Sequence, residues 1–117
     1  MSGWTIRKEH GVNFAEAGSG PLFVMCHGGA GSHTHWSRNI DALAEHFTVR
    51  ALDLPGYGES DPTNKDYTAT EYVAAMVPKM DRLTSDFDRF HLMGFSFGGA
   101  LSAGIAAALG DRVEKLT

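Results

Sequence analysis

Ser96 stands in Gly94-Phe95-Ser96-Phe97-Gly98-Gly99, after a short apolar run from Phe90 to Met93 and ahead of an Ala-rich segment. Gly-x-Ser-x-Gly between a strand and a helix is a spacing that makes a serine into a nucleophile. The sharp turn presents the hydroxyl above the end of the sheet, and the first backbone N–H groups of the helix gather positive potential beside it. Such an elbow strains its central residue and brings its flanks together, so the positions two before and two after must be small. Gly94 and Gly98 meet that need, and Gly99 would let the new helix pack tightly. The plainer alternative is a glycine-rich turn that happens to hold a serine.

A second glycine cluster, His27-Gly28-Gly29-Ala30-Gly31-Ser32, follows the apolar run Leu22 to Cys26. Glycines there allow close backbone approach, and their N–H groups can point at an anion. No Gly-Lys-Ser/Thr ending is present, and the third glycine of a dinucleotide fingerprint would fall at Thr34, so both phosphate-binding patterns fail. What remains is a loop for a developing oxyanion, which can also cap the helix that follows. A third loop, Asp53-Leu54-Pro55-Gly56-Tyr57-Gly58-Glu59-Ser60, has its turns set by Pro and Gly.

The elements that must position these loops alternate. Thr5 to Glu9 and Val12 to Ala17 read as a hairpin turning at His10-Gly11. Leu22 to Cys26 reads as a strand covered on both faces. Trp36, Ile40, Leu43 and Phe47 define a helical face beginning at His35 or Trp36. Thr48 to Leu54 forms the next strand. A helix capped by Thr70 carries Val73, Met76, Val77, Met80, Leu83 and Phe87 inward, and Pro78 predicts a kink or a break into two helices. Arg89 to Met93 leads into the elbow, and Phe97 to Leu109 is a helix whose many small residues predict burial beneath the strands, with Gly110 as its cap. Val113 to Thr117 looks like the beginning of one more strand. The expected fold is α/β, a mostly parallel open sheet with flanking helices, in a single unit over residues 1–117.

Composition excludes several classes of function. A formal charge of −4 with no basic cluster argues against nucleic acid, and no apolar run approaches a membrane span. The N-terminus carries no signal pattern, and the single cysteine, Cys26, reads as a small buried residue in a cytoplasmic, reducing setting. No cofactor or metal site is expected, since no pair of histidines with a carboxylate has a convincing ligand spacing.

Taken together, the three loops and their order resemble the N-terminal half of an α/β-hydrolase of the serine-nucleophile branch, over essentially all 117 residues. The resemblance implies strands one to five of that fold, truncated before strand six, with the apolar edge of strand five left open. It implies Ser96 as nucleophile, the backbone N–H of Phe97 as one oxyanion donor, and Gly29, or alternatively Ala30, as the other. His27, Gly28, Ala30 and Phe95 would line the substrate, although His27 at the base of its loop also reads as structural. The implied reaction is attack of Ser96 on an ester, thioester or related acyl bond of a small molecule. A serine rather than an aspartate at the elbow weighs against epoxide hydrolases and haloalkane dehalogenases.

One departure matters. The family places its acid and then its histidine after the elbow. No histidine follows Ser96, whereas His10, His27, His33, His35, His46 and His91 all precede it. Asp111 and Glu114 would lie toward the far end of the post-elbow helix. The expectation is therefore a portion of a larger serine hydrolase, inactive or very weak alone, whose partner is its missing C-terminal half or another copy paired through the open sheet edge. The competing reading is a non-catalytic module that binds a ligand through the same pocket.

Overall fold

A computed structural model describes residues 3–63 and 66–117. The first two strands, β1 (Thr5–Glu9) and β2 (Val12–Ala17), pair antiparallel, as the hairpin reading around His10-Gly11 expects. His10 and Gly11 between them both have positive φ, 53° and 78°. Two successive left-handed residues give a turn whose twist matches that of its strands.

The chain continues through β3 (Leu22–Cys26), a 3-10 turn (His33–Trp36), α1 (Ser37–Leu43), β4 (Thr48–Leu52), α2 (Ala69–Leu83), β5 (Phe90–Gly94), α3 (Phe97–Leu109), a second 3-10 turn (Gly110–Arg112) and β6 (Val113–Leu116). The strands make one sheet in the order β1-β2-β4-β3-β5-β6. From β4 to β6 every pairing is parallel, so β3, β4 and β5 end on the same side. All three glycine-bearing loops emerge there.

The expected end of the sheet before strand six is corrected by β6. It pairs with β5 through Phe90↔Val113, His91↔Lys115 and Leu92↔Leu116, with a register shift after Phe90. Strand five is thus covered on both sides, and the free edge belongs to β6. The segment read from the sequence as the beginning of one more strand is this β6.

Two apolar layers hold the sheet. Phe14, Val24, Leu52, Leu54 and Leu92 meet Met76, Met80 and Leu83 of α2 and Leu101 and Ile105 of α3. On the other face Ala15, Met25, Val49 and Ala51 meet Trp36 and Ile40. β3 feeds both layers, which explains its unbroken apolar sequence, each large buried side chain contributing roughly 1.5–3 kcal/mol. Between β2, β4 and the end of α2 sits Arg50, only 6% exposed. Its guanidinium donates to both carboxylate oxygens of Asp86, to Glu16 and to the Leu83 carbonyl, and the two carboxylates, Asp86 foremost, raise its pKa against the effect of burial.

The helices differ from expectation in four places. α1 stops at Leu43 rather than Phe47, and the turn that follows packs against Gly18, where a Cβ would sit 2.5 and 2.3 Å from the carbonyl oxygens of Ala44 and Phe47. α2 is capped by Thr68 rather than Thr70. The Thr68 hydroxyl accepts from the Glu71 N–H at 3.1 Å while the Glu71 carboxylate accepts from the Thr68 N–H at 2.9 Å, a reciprocal capping box. α2 also runs unbroken through Pro78, whose ring is exposed, as is Ala74 one turn back, so the carbonyl freed by the missing N–H lies on the solvent side. α3 buries one stripe, Gly98, Leu101, Ser102 and Ile105, and leaves Ala100, Ala103, Ala107 and Ala108 exposed rather than lying wholly beneath the strands.

Proline within a helix costs roughly 3 kcal/mol against alanine, offset by up to about 1 kcal/mol from its stiffer unfolded chain. Pro78→Ala should therefore raise stability by about 2 kcal/mol, read as a higher urea midpoint with an unchanged slope.

Candidate active site

Ser96 has φ 56° and ψ −118° and is the N-cap of α3. A side-chain-bearing residue holds that conformation only when its surroundings force it. The forcing groups are identifiable. A Cβ on Gly94 would lie 2.2 Å from the Gly98 carbonyl oxygen, and a Cβ on Gly98 would lie 2.3 and 2.4 Å from the carbonyl oxygens of His27 and Cys26. The elbow can form only with glycine at both places. Gly99 is different, since a Cβ there meets nothing closer than 3.5 Å, an ordinary contact. Its expected packing role is not sterically required.

The amides of Gly98, Gly99 and Ala100 donate to the carbonyls of Phe95 and Ser96. That of Phe97 finds no acceptor among the described residues. Ser96 is exposed, and Phe95 beside it is 55% exposed. The predicted nucleophile therefore stands exposed, next to an unpartnered amide, at the positive end of a thirteen-residue helix.

The loop after β3 closes on itself through Gly31 N–H to Gly28 carbonyl at 3.1 Å, with Ala30 at φ 62°. The amides of Gly29 and Ala30 have no acceptor among the described residues, and Gly29 opens onto free space. Gly28 is buried against the elbow: a Cβ there would lie 3.2 Å from the Phe95 ring and 3.4 Å from the Ser96 Cβ. The loop after β3, with its unpartnered Gly29 and Ala30 amides, thus packs against the elbow through Gly28.

His27 does not line this surface. It is wholly buried, and its Nε2 accepts from the Leu54 N–H at 3.0 Å. The proton therefore sits on Nδ1, which donates to the Gly28 carbonyl at 2.6 Å. Burial holds the pKa of the ring below the ordinary value, against a smaller opposing pull from the Gly28 carbonyl and Asp53. Both nitrogens are engaged, so the side chain supports the loop from beneath instead of meeting a substrate. Cys26 below it is a buried free thiol pushed up to about 12 by burial, hence a packing residue.

The residue that sequence reasoning left inside a loop is Asp53. It is wholly buried and accepts four hydrogen bonds: from the His33 N–H at 2.6 Å, His33 Nδ1 at 2.8 Å, Asn13 Nδ2 at 3.0 Å and the Glu59 N–H at 2.9 Å. Burial alone would raise its pKa, but the bonds from Glu59, His33 and Asn13 outweigh it and hold the carboxyl below the usual range. The third loop folds around this carboxylate. Ser60 donates to the Asp53 carbonyl, and a Cβ on Gly58 would fall 2.4 Å from a carboxylate oxygen. The signal was present in the sequence, as a charged residue at the end of a buried strand with glycine five positions on.

Around the mouth, the His35 ring lies 4.8 Å from Trp36 and 5.0 Å from Phe95. A cavity of about 250 Å³ separates the hairpin turn, the third loop and α2, and Tyr72 forms part of its wall and touches the Phe97 ring edge-on at 5.2 Å. Glu114 pairs with Arg89 at 2.9 Å, and Asp111 lies in the 3-10 turn beyond α3, so neither carboxylate approaches Ser96. Among the described residues no group of His, Cys, Asp or Glu is placed to hold a metal ion, and no helix is long and apolar enough to cross a membrane.

Known proteins share this arrangement. The sequence model of the family described as alpha/beta hydrolase fold matches residues 21–117. An uncharacterized protein of Mycobacterium tuberculosis is 35% identical over 113 residues, covering 95% of this chain and 33% of that protein. The bifunctional epoxide hydrolase 2 of Sus scrofa is 34% identical over 108 residues, covering 90% of this chain and 19% of that protein. A Salmonella enterica crystal structure provisionally named an acyltransferase superposes with a TM-score of 0.89 at 30% identity, covering 97% of this chain and 40% of that one. The chain spans about a third of the length of the curated relatives it matches.

Gly98→Ala should lower stability by about 3 kcal/mol or more, because backbone carbonyls cannot step aside, whereas Gly99→Ala should stay within about 1 kcal/mol of the parent; paired denaturant titrations read both. A pH dependence follows from the two buried groups. Each binds its proton more weakly in the folded chain, so the unfolded chain holds more protons below the ordinary pKa and stability falls with acid. The loss should begin below 6.5, the ordinary value for His27, and continue below 3.8, that for Asp53. His27→Asn should shrink the first step, measured as urea midpoints from about pH 8 downward.

Proposed function

The chain belongs to the α/β-hydrolase fold family, and on that footing we propose that it carries the nucleophile and oxyanion parts of a serine hydrolase acting on an ester, thioester or related acyl bond. The observation that carries this reading is the strained φ of 56° at an exposed Ser96, in an elbow against which the loop after β3 packs through Gly28. A turn that serves only packing has no need of a side-chain-bearing residue at that position.

In this reading the Ser96 Oγ attacks the acyl carbon and gives its proton to a histidine. The Phe97 N–H and the Gly29 N–H, with Ala30 as the alternative, receive the charge that gathers on the carbonyl oxygen. Losing one such donor typically costs about 3 kcal/mol of transition-state stabilisation. The tetrahedral adduct collapses, the leaving group departs with the proton, and water then releases the acyl group from Ser96. The histidine and its orienting acid come from chain that follows β6, which suits relatives about three times as long. That same chain is the partner of the exposed β6 edge. Exposed Phe95 and His35 favour an apolar or aromatic acyl substrate. Serine rather than aspartate at position 96 separates this chemistry from that named for the Sus scrofa relative. A cytoplasmic setting fits the single buried thiol.

A fluorophosphonate probe should modify the protein in its full reading frame at one site, with peptide mass placing the adduct on Ser96 and Ser96→Ala abolishing it. A folded, unlabelled full-length protein would end this reading.

A further inference from the structure

Two clamps hold the loop after β3, one at each end. At its start, His27 ties the Gly28 carbonyl to the Leu54 amide through one imidazole. At its finish, His33 gives Asp53 two bonds on a single carboxylate oxygen, from its backbone N–H at 2.6 Å and from its ring Nδ1 at 2.8 Å. The other oxygen is taken by Asn13 of β2 and the amide of Glu59. Asp53 therefore cannot follow the loop if the loop shifts; it is fixed from the opposite side by the strand and the third loop. Between the clamps lies the turn with Ala30 at φ 62°, a conformation that a non-glycine residue leaves when free.

From this geometry, and resting on the serine-hydrolase reading above, we infer that His33 is a positioning residue. Its ring, through Asp53, sets the Gly28–Ser32 turn against Ser96 and so fixes where the Gly29 and Ala30 amides stand when the oxyanion forms. An ionised carboxylate can only accept, so the ring must carry its proton on Nδ1. The ring's task is donation from that atom. An asparagine side chain can supply an N–H from nearly the same place but has no second nitrogen to act as a base.

His33→Ala and His33→Asn in the full-length protein test this, with fluorophosphonate labelling of Ser96 resolved into the maximal rate kinact and the half-saturating concentration KI. Amide exchange at Gly31, whose bond to Gly28 closes the turn, is measured alongside. His33→Ala should lower kinact about 10- to 100-fold, the scale of a misplaced reacting group. KI should stay within about threefold and Gly31 exchange should accelerate, with His33→Asn restoring kinact and exchange. Unchanged labelling in His33→Ala overturns the inference. So does a His33→Asn protein as slow as His33→Ala, which would give the ring a proton-transfer role. If the parent is never labelled, the hydrolase reading fails by itself. Gly31 exchange then decides: no change in His33→Ala overturns the positioning role, and acceleration reversed by asparagine upholds it.

Discussion

A single buried carboxylate ties the working end of this molecule together. Asp53 sits where β4 leaves the sheet, wholly removed from water, with donors arriving from β2, from the start of the first 3-10 turn and from the loop ahead of α2. A buried charge is tolerable only when its hydrogen-bonding capacity is filled, and here four donors fill it. Each donor is thereby fixed relative to the others. The loops after β3 and β4 take much of their shape from this arrangement of polar groups. Arg50 does the complementary task in the middle of β4, gathering Glu16 and Asp86 so that the strands and the end of α2 are held together.

The second constraint is steric. α3 begins so close to the end of β3 that the position of Gly98 admits no side-chain atom before the carbonyls of Cys26 and His27 intervene. That approach brings the helix N-terminus, with its unpaired amides, up to the level of the loop after β3. The strain at Ser96 follows from this approach. A chain that must turn from β5 into α3 in so few residues leaves Ser96 no relaxed conformation, and burial of Leu101 and Ile105 offsets the cost, each contributing up to about 3 kcal/mol.

Much of this was legible in the residues. The Gly-x-Ser-x-Gly spacing located the elbow, and α3 runs over Phe97–Leu109 as its composition implied. The hairpin and β3 fall where the His10-Gly11 turn and the continuous apolar run put them. What could not be read depends on partners distant in sequence. The early stop of α1 and the register shift between β5 and β6 rest on contacts that the local sequence does not announce. The cap at Thr68 lost to Thr70 because both are threonines in reach of an acidic residue, and only geometry tells which hydroxyl meets the Glu71 amide. Pro78 was overruled by its exposed position on α2. In the site, His27 changed from a lining residue to a support because burial is set by Leu54 and Tyr57, far along the chain. Asp53 went unrecognised as a hub for the same reason.

Ala30 carries a further meaning. Its methyl group sits in a left-handed conformation that costs about 1 kcal/mol or more, in a loop that no apolar core supports. The turn behaves as a sprung element, cocked by the two histidine clamps and released when either lets go. Warming or mild denaturant would slacken it while the sheet, with its two apolar layers, stays intact. On the serine-hydrolase reading, competence at Ser96 would then disappear before the fold does, in a protein that still looks native by its secondary structure.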